Sequence, residues 1–192
     1  GVLRTRVLDD PADPAIPPLR ILMHGTTIHG AQIAAPILSR QPLTYYNPRT
    51  ALGEAILAGL STGDTSSLAL IGLGAGSTAC LLRPDDQLTI FEIDPAVVFM
   101  ATSGQHFRFV PTCAPDAGIL LGDGRLLLAR EPAGQFDLLI IDAFGSDTIP
   151  FHLATREAFR LYTEKLTANG VILMHISNRF IDLEPVVSRL AV

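Results

Sequence analysis

The feature that most constrains this chain is a repeated alternation of short apolar runs with helix-compatible segments, spanning Leu68 to Ile176. Leu68–Gly72, Leu88–Glu92, Ile119–Leu121, Phe136–Asp142 and Val171–Ile176 read as strands. Ser77–Leu82 and Arg125–Arg130 read as helices, and a further helix starts at Pro95 behind a capping Asp94. Thr155–Leu166 is amphipathic and is expected to stop at Asn169–Gly170. Strands this apolar suit burial on both faces, and strand–helix repetition requires a parallel sheet with right-handed crossovers. The expectation is an α/β fold whose five strands order as 3-2-1-4-5, with helices on both faces.

The segment before this alternation reads differently. Residues 1–19 are rich in Pro and Asp and read as a loop. Arg20–His24 reads as a strand, Gly25–Gly30 as a turn and Ala31–Ala34 as a returning strand. Behind Pro48, Leu52, Ala55, Ile56 and Leu60 share one helical face. The division expected is an extended or hairpin segment over 1–47 and a Rossmann-like nucleoside-binding domain over 48–192.

Composition narrows the function classes. Apolar residues make up 48% and charged residues 17%, a globular balance. No apolar run reaches the ~18 residues of a membrane span. A net charge of −5 without a basic stripe disfavours nucleic acid and favours a cationic small substrate. Cys80 and Cys113 lack metal or redox spacing and read as reduced thiols of a cytoplasmic protein. The five histidines form no metal signature; His24 and His29 flank the Thr26–Thr27 turn and are candidates to face the site, but a surface role is the expectation for each of the five. The chain begins with Gly1 and stops inside a helical pattern, Glu184–Ala191, so a piece of a longer polypeptide is expected. The fifth strand would then be an exposed apolar edge, which invites a homodimer.

The candidate site residues fall at strand ends. Gly72–Leu73–Gly74–Ala75–Gly76 follows the first strand; Gly72, Gly74 and Gly76 would let the backbone approach a ligand. Ser77 stands where a dinucleotide fingerprint has glycine, which favours a nucleoside without pyrophosphate. Glu92 ends the second strand, where a carboxylate can accept both ribose hydroxyls. Asp123, between Gly122 and Gly124, can accept from an adenine amino group or cap a helix. Asp142 ends the fourth strand, and Asp147 follows either as a second acid of the same mouth or as a helix cap. Two acids there can hold a cation, and one can accept a proton.

Taken together these residues resemble the spermidine synthase family, the polyamine aminopropyltransferases, over about Ile21–Arg179. The family's glycine loop, ribose-binding acid, Gly-Asp-Gly adenine contact and catalytic strand-end Asp correspond to Gly72–Gly76, Glu92, Asp123 with Gly124, and Asp142. Gln32 and Tyr46 fall where the family has a glutamine after its hairpin and a tyrosine before a helix. The resemblance implies a Rossmann-like S-adenosylmethionine-dependent methyltransferase fold with its last strands missing. It further implies aminopropyl transfer from decarboxylated S-adenosylmethionine to putrescine or a similar amine, with no covalently bound cofactor and no metal. Asp142 would be the base, and Gln32, Tyr46 and Asp147 would orient the amine. The chain departs from the family at Ala75, where an acid meeting the aminopropyl amine is usual. It departs also at His24–Gly25 in place of Asp-Gly, and in the longer spacing of Asp142 to Asp147. These forms resemble a divergent bacterial branch often fused to membrane segments, which would make this a cytoplasmic domain of a longer protein. The alternatives are a methyltransferase using S-adenosylmethionine itself and a nucleoside-binding domain without turnover.

Overall fold

The computed structural model describes residues 2–9, 13, 15–25, 27–60, 66–143, 150–176 and 182–190. Its centre is a five-stranded parallel sheet built from β4 (Ser67–Ile71), β5 (Gln87–Glu92), β6 (Gly118–Leu121), β7 (Phe136–Ile141) and β8 (Leu166–Met174). The spatial order is β6-β5-β4-β7-β8, which is 3-2-1-4-5 among these five, and every pairing is parallel. The α/β fold and the strand order expected from the alternation are present.

The sheet is continuous because its middle strands bury both faces. Leu68, Leu70, Leu88, Ile90, Leu138 and Ile140 point into one core with Ile56 and Leu60 of α1 (Ala51–Leu60) and Val97 and Ala101 of α2 (Pro95–Thr102). The alternate residues Ala69, Ile71, Phe91, Leu139 and Ile141 point into the other core. There they meet Leu128 of α4 (Gly124–Leu128) and Ala158, Phe159 and Tyr162 of α5 (Arg156–Lys165), with Val187 and Leu190 of α6 (Glu184–Leu190) at the margin. Each fully buried Leu, Ile or Phe side chain contributes about 1.5–3 kcal/mol of transfer free energy. Asp137 ties the lower edge of the sheet, accepting from the Ser67 amide at 3.0 Å and the Thr167 hydroxyl at 3.0 Å. Asp94 caps α2 as expected, accepting from the Ala96 amide at 2.8 Å, with Pro95 in the first turn.

Four expectations are corrected. The first nineteen residues are not all loop: β1 (Leu3–Leu8) pairs antiparallel with β2 (Leu19–His24), which pairs with β3 (Thr27–Ile33). The turn is short because β3 already starts at Thr27, not at Ala31. Asn169–Gly170 does not stop a helix. Helix α5 ends at Lys165, and the pair sits in a bulge of β8, where Phe136 faces Leu166 but Leu138 faces Val171. A side chain on Gly170 would press on the Phe136 carbonyl at 2.9 Å, so this glycine serves close approach. Finally, Cys80 and Cys113 are not thiols but a disulfide with a Cα–Cα distance of 5.0 Å. The short helix α3 (Phe109–Cys113), which lacked a clear periodic signal, packs against the turn at Ser77–Leu81 and brings together cysteines 33 positions apart. Closing such a loop contributes about 4 kcal/mol in the chain-entropy account. The pairing also removes the cysteine argument for a cytoplasmic setting, because disulfides persist in oxidising compartments. Among the described residues no helix is long and apolar enough to cross a membrane.

The small antiparallel sheet is held over the parallel one. Leu22 of β2 packs with Ala75, Phe107 and Phe109, and the Arg20 guanidinium donates to the carbonyls of Gln105 and His106. The N-terminal hairpin therefore covers the loop that follows β4.

Candidate functional site

Parallel register delivers the chemistry to one rim. The ladder extends one residue past each strand. The Gly72 amide donates to the Phe91 carbonyl (2.9 Å), Asp142 to Ile71 (2.9 Å), Gly122 to Glu92 (2.8 Å) and His175 to Ile141 (2.9 Å). Residues immediately after the last apolar position of each strand are thus side by side at the carboxyl ends, where open α/β sheets bind ligands.

A cavity of about 240 Å³ opens there, lined by Gly72, Gly74, Glu92, Asp94, Asp123, Gly124 and Asp142 with Tyr45, His24, His29 and His152. Apolar walls come from Leu3, Leu22, Ile71, Phe91, Ile93, Val97 and Leu153. A mostly apolar cleft with a few converging polar groups is the usual form of a small-molecule site. Gly72 holds a φ of +94°, and a side chain there would collide with the Asp142 carbonyl. The glycine lets the β4 and β7 ends meet. Gly72→Ala is expected to cost at least about 2 kcal/mol, since left-handed strain alone is ~1–3 kcal/mol. An unchanged urea midpoint would show that glycine is dispensable there. Gly74, at φ +53°, passes 2.7 Å under the His29 carbonyl, measured to the position of an added Cβ. Gly76 turns the chain into the Ser77–Leu81 segment and is not on the cavity wall.

On one side of the glycine loop lie Glu92 and Asp123. Glu92 is buried, and its two oxygens accept from the Leu73 amide (2.8 Å) and the Asp94 amide (2.9 Å). Each carboxylate oxygen has a second lone pair. Asp123 caps α4 through the Leu126 amide at 2.9 Å and meets His152 Nε2 at 3.1 Å through its other oxygen. Asp123 is thus the α4 cap and also lines the cavity.

On the other side lies Asp142. Its Oδ2 accepts from the Tyr46 hydroxyl at 2.5 Å and the Tyr45 hydroxyl at 3.1 Å. Its Oδ1 stands 2.6 Å from His175 Nδ1. The imidazole also packs on the Tyr45 ring, with centroids 4.5 Å apart. Burial, and then the Asp142 charge, push both phenols well above their ordinary pKa, so they remain donors at any working pH.

The remaining sequence candidates are distributed as follows. Tyr46 reaches the site only through Asp142 and is itself buried. Gln32 is buried off the cavity wall, with its amide nitrogen donating to Ser39 at 2.7 Å and its oxygen accepting from the Arg108 amide at 3.0 Å. It joins the hairpin to α3. Asp147 lies outside the described residues. Ala75 is buried against the hairpin; a side chain on Gly30 would approach its Cβ to 2.5 Å. Of the histidines, the sequence reading weighs only His24 and His29 for the site and prefers a surface role for all five, and of the Tyr45–Tyr46 pair it chooses Tyr46. His24, His29 and His152 line the cavity, and His175 is bonded to Asp142 rather than sitting plainly at the surface. A signal existed for His175: it follows the last apolar position of its strand as Asp142 does in the neighbouring one. Among the described residues no group of three or more His, Cys, Asp or Glu side chains could hold a metal ion.

The chain is similar to several known proteins. The chain is 33% identical over 109 residues to a polyamine aminopropyltransferase of Vibrio vulnificus (strain CMCP6), covering 54% of the chain and 35% of that protein. It is 30% identical over 128 residues to a probable polyamine aminopropyl transferase of Bifidobacterium longum (strain NCC 2705), covering 65% of the chain and 27% of that protein. It therefore spans about a third of the length of these curated relatives. The crystal structure of a probable spermidine synthase from Corynebacterium glutamicum ATCC 13032 superposes with a TM-score of 0.71 at 15% identity. That match covers 90% of this chain and 60% of the other, and it speaks for the fold. No family model matches the chain.

Proposed function

We infer that this chain belongs to the spermidine synthase family and forms the adenosyl- and amine-binding part of an aminopropyltransferase, a reading its similarity to the curated relatives supports. The observation that carries the reading is the cavity in which glycine loop, Glu92 and Asp123 stand to one side and a tyrosine-braced carboxylate, Asp142, to the other. The first group suits adenosine: Glu92 for the ribose hydroxyls, Asp123 for the adenine amino group, and Gly72, Gly74 and Gly124 for close backbone approach, with Gly76 shaping the loop from behind the wall. The second suits the cationic amine.

The chemistry demands little beyond alignment and proton removal. The donor is decarboxylated S-adenosylmethionine, whose sulfonium already activates the adjacent propyl carbon. A diamine such as putrescine, mostly protonated at pH 7, binds as a cation at Asp142 and yields one proton to it. The amine lone pair then bonds to the propyl carbon, the C–S bond breaks, and its electron pair returns to sulfur, leaving methylthioadenosine. Tyr46 acts on the amine through Asp142, Gln32 acts by holding the hairpin over the site, and Asp147 is the proposed second acid.

A specific observation favours a second reading. Ala75, buried against the hairpin, supplies no acid for the aminopropyl amine, and His24 and His29 line the cavity instead. A methyltransferase using carboxylated S-adenosylmethionine would suit such a mouth. The test compares calorimetric affinities of the two sulfonium compounds and assays the diamine product. The aminopropyl reading expects at least about tenfold preference for the decarboxylated form, ~1.4 kcal/mol, together with spermidine from putrescine. Preference for the carboxylated form, with methyl transfer, would replace it.

A further inference from the structure

We propose that His175 is a positioning residue whose ionisation switches Asp142 between a working carboxylate and a neutralised one. The inference rests on the aminopropyl-transfer reading and adds to it a group on the neighbouring strand. Asp142 has one oxygen filled by two phenolic donors, at 2.5 and 3.1 Å, and the other held by His175 Nδ1 at 2.6 Å. The pair is mostly buried, with 7% of the Asp142 side chain and 17% of the His175 side chain exposed. Backbone register sets the two residues side by side, because the His175 amide continues the β7–β8 ladder at the Ile141 carbonyl.

The two ionisation states differ in what they offer an amine. With neutral His175, Nδ1–H donates to Asp142, and the carboxylate keeps a full negative charge for the ammonium and for its proton. With His175 protonated, the same contact is an ion pair. The net charge facing the amine vanishes, and the carboxylate becomes a poorer proton acceptor. The phenols cannot play this part, since burial and the carboxylate keep them protonated. Among the described residues, the groups facing the imidazole include Asp142, Tyr45 and, through Asp142, Tyr46. Farther round the cavity are Glu92, Asp94, Asp123, His24, His29 and His152. Imidazole is the side chain that ordinarily changes charge between pH 5 and 8. Activity is therefore expected with His175 neutral and lost with His175 protonated.

The test is kcat and kcat/KM for the diamine across pH 5–8 on the full-length protein, wild type against His175→Asn and His175→Ala, with diamine binding measured calorimetrically beside methylthioadenosine. Asparagine keeps an N–H donor where Nδ1 stands but cannot titrate. The expected result is that His175→Asn retains kcat within about tenfold at pH 8 and loses the acid limb, or moves it down by a unit or more. His175→Ala drops kcat at every pH, with methylthioadenosine affinity unchanged. The same acid limb in wild type and His175→Asn, in turnover or in diamine binding, overturns the switch while leaving aminopropyl transfer standing. A wild-type protein that neither turns over nor binds a diamine overturns the functional reading, and this inference with it.

Discussion

Asp142→Asn is expected to lower turnover about 10²–10⁴-fold, the usual contribution of a general base, while methylthioadenosine affinity changes less than about twofold. The site is built to tolerate the exchange. The asparagine oxygen can keep both tyrosine donors, and its amide can face His175 once the imidazole presents the Nδ1 lone pair. Shape and fold survive, and what disappears is the charge that holds an ammonium and the base that takes its proton. The separation of effects follows from topology. Asp142 ends β7, on one side of β4, whereas Glu92 and Asp123 follow β5 and β6 on the other. Paired assays of product formation and calorimetric binding on the purified variant decide it. Near-normal turnover would remove Asp142 from the chemistry, and an equal loss in both assays would make it a binding residue only.

Glu92→Gln should weaken methylthioadenosine by about 1–3 kcal/mol, roughly 5- to 150-fold, the range for losing a charged hydrogen-bond partner. The structure adds a second consequence. Both oxygens of Glu92 already accept backbone amides, from Leu73 in the glycine loop and from Asp94 ahead of α2. A glutamine amide must turn its NH2 toward one of these donors, leaving a buried amide without an acceptor at about 1–3 kcal/mol. The variant should therefore also unfold at lower urea, with the loop between β4 and the Ser77–Leu81 turn loosened. Calorimetry with methylthioadenosine and a urea titration separate the two effects. Unchanged affinity would mean that Glu92 serves the loop and not the ribose.

The parallel sheet, its strand order and the acids at its rim were legible in the sequence, because apolar strands of this kind have few alternatives. LLII before Asp142 and ALIG after Leu68 must be buried on both faces, and strand–helix repetition leaves essentially one handedness of crossover. Asp94 before Pro95 announced its own cap for the same local reason. Contacts between distant segments were not legible. β1 pairs with β2 over a short, partly exposed stretch whose Pro-rich flank read as loop. The disulfide depends on α3 docking beside the Ser77–Leu81 turn, and the bulge of β8 on Phe136 facing Leu166. The bracing of Asp142 by Tyr45, Tyr46 and His175 joins positions 97, 96 and 33 residues away. Local sequence determined which strands form and what each carries at its end, since propensity and periodicity act over a few residues. Only the tertiary structure decided which of those end groups touch, because register between strands and the docking of the N-terminal hairpin are set by packing across the whole chain.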